Sequence, residues 1–245
     1  MAGSFGSQRA GGPSGSLVSV SVLGAMTDPG PGATTERAAG PTAPSRRDRI
    51  LEAAMRQFAE RGYRGTRVED IANEVGVAKG TVFLDFGSKE GLFLDVFKRA
   101  VSLLPAWLDA PAPVVDAGFW AVLDWWLQRA EDLVDSDPVP NRVALIARYD
   151  TGLDIRRPVD RFMRSEDPYG TLEFIEFGVT RGEIRDDVDA EMIASILDWM
   201  AERFQDALVS EDFDPGLIHR RPERRPMRIK EFVEVLRGGI APQPD

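Results

Sequence analysis

Residues 45–90 read SRRDRILEAAMRQFAERGYRGTRVEDIANEVGVAKGTVFLDFGSKE, and the reading of this stretch decides the fold. At its centre Val68, Ile71, Ala72 and Val75 stand at i, i+3, i+4 and i+7, the apolar stripe of a short helix. Gly76 follows, a residue that can take the positive φ a helix end favours. After Val77 the run from Ala78 to Phe86 reads as a second helix of about two turns. Two short helices joined by a tight turn containing glycine make a helix-turn-helix, whose second helix can enter a DNA major groove.

On the N-terminal side, Ser45 with Asp48 predicts a capped helix start, and Ile50, Leu51, Ala54, Met55 and Phe58 form that helix's apolar face. Gly62 and Gly65 are expected to end it, and Thr66 with Glu69 is expected to cap the next helix. On the C-terminal side, Ser88 caps a fourth helix carrying Leu92, Phe93, Val96, Phe97, Val101 and Leu104. Beyond it a proline-containing connector is expected at 108–118, then helical patterns at 114–135, 138–149, 155–181, 189–210 and 227–238. A break is expected at Asp167-Pro168. No segment alternates as a strand does, so the fold class is all-α.

Residues 1–44 are rich in Gly, Pro, Ser, Ala and Thr and are expected to be a disordered tail, with Met26 as an alternative start. No run of 18 apolar residues exists. The chain has no cysteine and one histidine, His219. Thiolate metal sites and cysteine nucleophiles are thereby excluded, and no Ser/His-type set or metal cluster is expected; the reading is of a non-enzyme without cofactor, in the cytoplasm. Net charge is −10, but residues 46–100 carry a net +2 and residues 101–245 a net −12. The mildly basic segment is the helix-turn-helix, and the acidity belongs to the remainder.

Three linked blocks carry a resemblance: R-x-x-I-L-x-A-A-x-x-x-F-A-E-x-G from Arg47 to Gly62, T-x-V-x-x-I-A-x-x-V-G-V-x-K-G-T-V-F from Thr66 to Phe83, and F-G-S-K-E-G-L from Phe86 to Leu92. Together they closely resemble the DNA-binding domain of TetR/AcrR-type transcriptional regulators. The resemblance implies a DNA-binding domain at 45–90, a helical ligand-binding and dimerisation domain at 91–245, and a homodimer released from its operator by a small molecule. It carries DNA contact over to Thr66, Lys79, Gly80, Thr81, Phe83 and Lys89, with Val82 and Leu84 on the same recognition helix. Arg46, Arg47 and Arg67 add charge around them. Phe83 stands where relatives often have a tyrosine, and Asp85 where they have Tyr or His. Either Asp85 points away from DNA or the operator is unusual, and these two departures keep a second reading open: a helical small-molecule-binding dimer with weakened DNA binding.

In the body, a pocket for an apolar or aromatic effector is expected from Phe97, Leu104, Trp107, Phe119, Trp120, Leu123, Trp126, Phe162, Met163, Phe174 and Phe177. The same residues also suit a plain core. The last two helical patterns are expected to pair with their copies through Ile193, Ile196, Leu197, Met200, Phe204, Ile229, Phe232, Val233 and Leu236; the same stripes also suit intramolecular packing.

Overall fold

A computed structural model describes residues 43–150, 152–214 and 218–242. The expected tail, residues 1–44, lies outside them except for its last two residues. Among the described residues there are helices and no strand, as the patterns predict.

Helix α1 (Arg46–Gly65) opens with the expected box: Ser45 Oγ accepts from Asp48 N–H, and the Asp48 carboxylate accepts from Ser45 N–H. It is interrupted at Gly62, whose φ of 72° leaves the helical region. Helices α2 (Val68–Val75) and α3 (Lys79–Phe86) meet at Gly76, a left-handed C-cap with φ 73° and ψ 38°. Helix α4 (Lys89–Val101) starts at Ser88, whose Oγ accepts from Gly91 N–H. Ile50, Phe58, Ile71, Leu92 and Phe93 close a common core under the four helices.

The expected capping box of Thr66 with Glu69 is not formed. Arg67 is the N-cap of α2, and Thr66 turns the other way. Its hydroxyl lies within hydrogen-bond distance of the Gln57 and Gly62 carbonyls, 3.0 and 2.8 Å away, and shares its proton between them at the break in α1.

A 3-10 turn (Trp107–Asp109) and short α5 (Ala112–Ala117) occupy the expected connector. Gly118, with φ 105°, separates α5 from α6 (Phe119–Ser136). The start of α6 is capped from far along the chain, by the Glu183 carboxylate accepting from Phe119 N–H at 2.7 Å. A Cβ on Gly118 would lie 2.2 Å from that carboxylate, so the close approach requires glycine. Helix α7 (Val139–Tyr149) packs against α1 and α4. Helices α8 (Leu153–Glu166) and α9 (Thr171–Thr180) are parted at the expected break, where Asp167 takes φ 37° and its Oδ1 accepts from Thr171 N–H. Helix α10 (Ala190–Val209) is capped by Asp189, and α11 (Arg225–Ile240) packs on α6.

Two sequence assignments are corrected here. The aromatic residues of the body are core: Trp107 stacks on Trp126 at 4.2 Å and on Phe174 at 4.8 Å, and Phe119 stacks on Phe174 at 4.2 Å. Their polar atoms are satisfied inside, Trp107 Nε1 donating to Thr171 Oγ1 and Trp126 Nε1 to the Pro105 carbonyl. Leu104 and Leu123 are buried with them. The apolar stripes of α10 and α11 likewise face inward, where Ile193, Leu197, Phe204, Ile229, Val233 and Leu236 are all buried within the single chain. These six are not available as a dimer surface.

Candidate functional site

Recognition helix α3 is held by few groups and exposes the rest. Val82 and Phe86 are buried and anchor it, whereas Lys79, Gly80, Phe83 and Leu84 face solvent, with Leu84 87% exposed. Nothing lies within 4 Å of where a Gly80 Cβ would be, so the exposed side of α3 is unobstructed. Thr81 is half-buried beside them. Lys79 stands 3.9 Å from Glu69, an exposed pair that restrains it little. Arg67 is exposed at the start of α2.

Two residues expected at the DNA contact are instead structural. Thr66 is 1% exposed with its hydroxyl committed to α1, and Val82 is 1% exposed in the core. Three of the basic groups also have inward tasks. Arg46 forms a two-point pair with Asp85, Nη2 to Oδ1 at 2.8 Å and Nε to Oδ2 at 3.2 Å. Arg47 donates to the Asp85 carbonyl at 2.7 Å, pairs with Asp95, and lies 4.2 Å from the centre of the Phe86 ring. Lys89 places its ammonium 4.7 Å from the centre of the Tyr63 ring, and burial lowers its pKa. Asp85 is therefore turned toward α1, where its charge is matched. It presents no bare carboxylate to a duplex.

The cavity in the body lies elsewhere than expected. About 880 Å³ of space opens between α8 and α10, floored by the end of α7. Of the eleven expected residues only Phe97 and Met163 line it. Trp120 and Phe162 pack against the core instead, and Phe177 lies near the Arg181 guanidinium. The lining is polar and charged: Arg148, Tyr149, Asp160, Tyr169, Asp198 and Glu202 contribute, with Arg156 and Arg164 exposed on α8. An apolar, aromatic-lined pocket is thus corrected to a mixed one. Arg148 is neutralised by Asp206, which also accepts from Tyr149 O–H at 3.0 Å. Asp198 accepts from Thr171 O–H at 2.5 Å, and burial pushes its pKa up to about 6 despite that bond. Burial also raises the Glu202 carboxyl.

These cavity residues left one signal in the sequence. Helix α10 carries a carboxylate at Asp198, Glu202 and Asp206, one per turn along an otherwise amphipathic helix. Periodicity read only its apolar positions.

Residues 50–96 match the family model described as bacterial regulatory proteins, tetR family. The chain is 27% identical over 207 residues to the HTH-type transcriptional repressor KstR2 of Mycolicibacterium smegmatis, covering 80% of this chain and 91% of that protein. Within residues 50–96 the chain therefore carries a DNA-binding domain of the tetR type. It is also 28% identical over 165 residues to the repressor AcnR of Corynebacterium diphtheriae, covering 67% of this chain and 82% of that protein. In fold it is similar to a fatty acid degradation regulator, FadR, from Bacillus halodurans, with a TM-score of 0.58 and 19% identity over 81% of this chain and 98% of that one. The TetR-family match spans α1 to α4 and contains the whole exposed face of α3.

Proposed function

We propose that the chain is a sequence-specific DNA-binding transcriptional repressor, cytoplasmic, whose operator affinity is set by a small molecule held in the α8–α10 cavity. The observation that carries the reading is the exposed face of α3: Lys79, Gly80, Phe83 and Leu84 face solvent while Val82 and Phe86 fix the helix beneath them. Lys79 and Arg67 supply phosphate contacts, and the Leu84 side chain suits an apolar contact such as a thymine methyl. Residues 45–90 act as the DNA-binding part and 91–245 as the effector and dimer part. The named repressors among its relatives support repression over activation.

The protein acts as a homodimer through the outward side of α10 and α11. Met192 is 52% exposed on α10, with Ile196 and Met200 half-buried along the same helix, and Val235 is 72% exposed on α11 beside Phe232. Apolar groups at that spacing on neighbouring helices suit a two-fold partner. The second reading, a helical dimer that has lost DNA binding, is weakened because Arg46 holds Asp85 away from the recognition face.

The test is an electrophoretic shift with DNA from upstream of the gene itself. A discrete, salt-sensitive complex abolished by Lys79→Ala with Arg67→Ala is expected. No shift at low salt refutes the reading.

A further inference from the structure

We propose that the α8–α10 cavity binds an organic cation, its ammonium group seated between Asp198 and Glu202 and its apolar body against the aromatic wall. This assignment rests on the regulator reading for its consequence, though binding itself is independent of DNA.

Asp198 and Glu202 lie one turn apart on the cavity side of α10 and are both half-buried. Among the described residues Asp198 receives one hydrogen bond, from the Thr171 hydroxyl, and Glu202 receives no hydrogen bond and forms no ion pair. The nearest inner cation, Arg148, is committed to Asp206. Both carboxylates are thus partly drawn from water with no cation bonded to either: none acts on Asp198, and Arg148 and Arg203 act on Glu202 only from beyond ion-pair distance, so burial still raises both pKa values. A positively charged ligand offsets that burial by supplying the missing partner.

The surrounding wall suits the rest of such a molecule. Trp199 lines the cavity and is 65% exposed, and aromatic faces attract organic cations. The volume of about 880 Å³ is that of a small-molecule site. The opposing chemistry, an anion held by Arg156 and Arg164, is weaker because both guanidinium groups are exposed and screened by water.

The experiment is calorimetric titration of the full chain, without DNA, at about pH 7.5, where carboxylates and guanidinium groups are ionised and an aliphatic amine is protonated. The probes are phenylbutylamine, phenylbutanol and phenylbutyrate, which share a body and differ in head-group charge. The amine is expected to bind at least about tenfold more tightly than the alcohol, with the carboxylate weakest. Asp198→Asn with Glu202→Gln is expected to bring the amine down to the alcohol's affinity. Glu202→Gln alone is expected to remove part of the preference, and it gives the readout should the double variant misfold. An amine bound no better than the alcohol overturns the assignment, as does a carboxylate bound most tightly or a charge preference that survives both substitutions. Loss of the operator shift with amine binding intact would refute only the regulator reading.

Discussion

The Asp150 carboxylate accepts the backbone N–H of Tyr63 at 3.0 Å, joining the end of α7 to the break in α1. Asp150 directly follows Arg148 and Tyr149, which line the cavity. Tyr63 directly follows Gly62 and stacks against Phe58, on the helix that carries Arg46 and Arg47 to α3. One hydrogen bond therefore lies between the cavity floor and the DNA-binding helices. Asp150→Ala is expected to destabilise the fold by about 1 kcal/mol, because the Tyr63 N–H at the break loses its acceptor. In the titrated shift assay it is also expected to reduce the effect of a bound effector on operator affinity. Unchanged denaturant midpoints would show the bond to be unimportant.

Gly62 is a second probe of the same junction. Its φ of 72° disfavours any side chain, and a Cβ there would lie 2.8 Å from Asp150 Oδ2. Gly62→Ala is expected to cost about 1–2 kcal/mol in urea unfolding, from the left-handed backbone with the displaced carboxylate added. A neutral effect would mean that the kink straightens without loss.

Thr66 and Lys79 separate structural from DNA-contacting roles. Thr66→Val is expected to lower stability by about 1–3 kcal/mol, since the hydroxyl proton shared between two backbone carbonyls is lost inside the protein, with the salt dependence of operator binding unchanged. Lys79→Ala is expected to leave the melting temperature nearly unchanged and to reduce the slope of log affinity against log salt by about one. Opposite outcomes in the two assays would reverse the two roles.

Asp198 predicts a pH signature. Its carboxyl is raised from 3.8 to about 6 by burial, with Asp167 and Glu202 adding to the rise and the Thr171 bond opposing it. The folded state therefore holds the proton more tightly than the unfolded chain. The contribution of this group to stability is fullest below about pH 4 and is lost as pH rises through about 6. Asp198→Asn is expected to gain about 1 kcal/mol at neutral pH, discounted for the remaining exposure, and to flatten the stability profile between those values. Equal profiles for the two proteins would contradict the raised value.

The exposed side of α10 and α11 predicts the assembly. Ile196→Asp with Val235→Asp is expected to convert a dimer to a monomer in sedimentation, with the helical circular dichroism retained. The buried Leu197 and Val233 behave differently: Leu197→Ala is expected to unfold the chain by about 2–5 kcal/mol, because it opens a cavity in the core.

The sequence by itself determined most of the helices, the caps at Ser45 and Ser88, the turn at Gly76 and the break at Asp167. Each of these depends on residues within a few positions of one another, where spacing and backbone preference act directly. It also located the recognition helix, on which exposed Lys79, Gly80, Phe83 and Leu84 alternate with buried Val82 and Phe86. Which of two apolar neighbours faces inward was decided only in three dimensions. Thr66 and Val82 turned into the core, the aromatic residues of the body stacked on one another, and the inward stripes of α10 and α11 were filled by the same chain. The cavity was invisible for the same reason. Asp198 and Glu202 become a site only when α8 stands opposite α10, and neither spacing nor composition encodes that approach. Asp85, ambiguous against a duplex when read in sequence, was settled by Arg46, a partner 39 residues away along the chain.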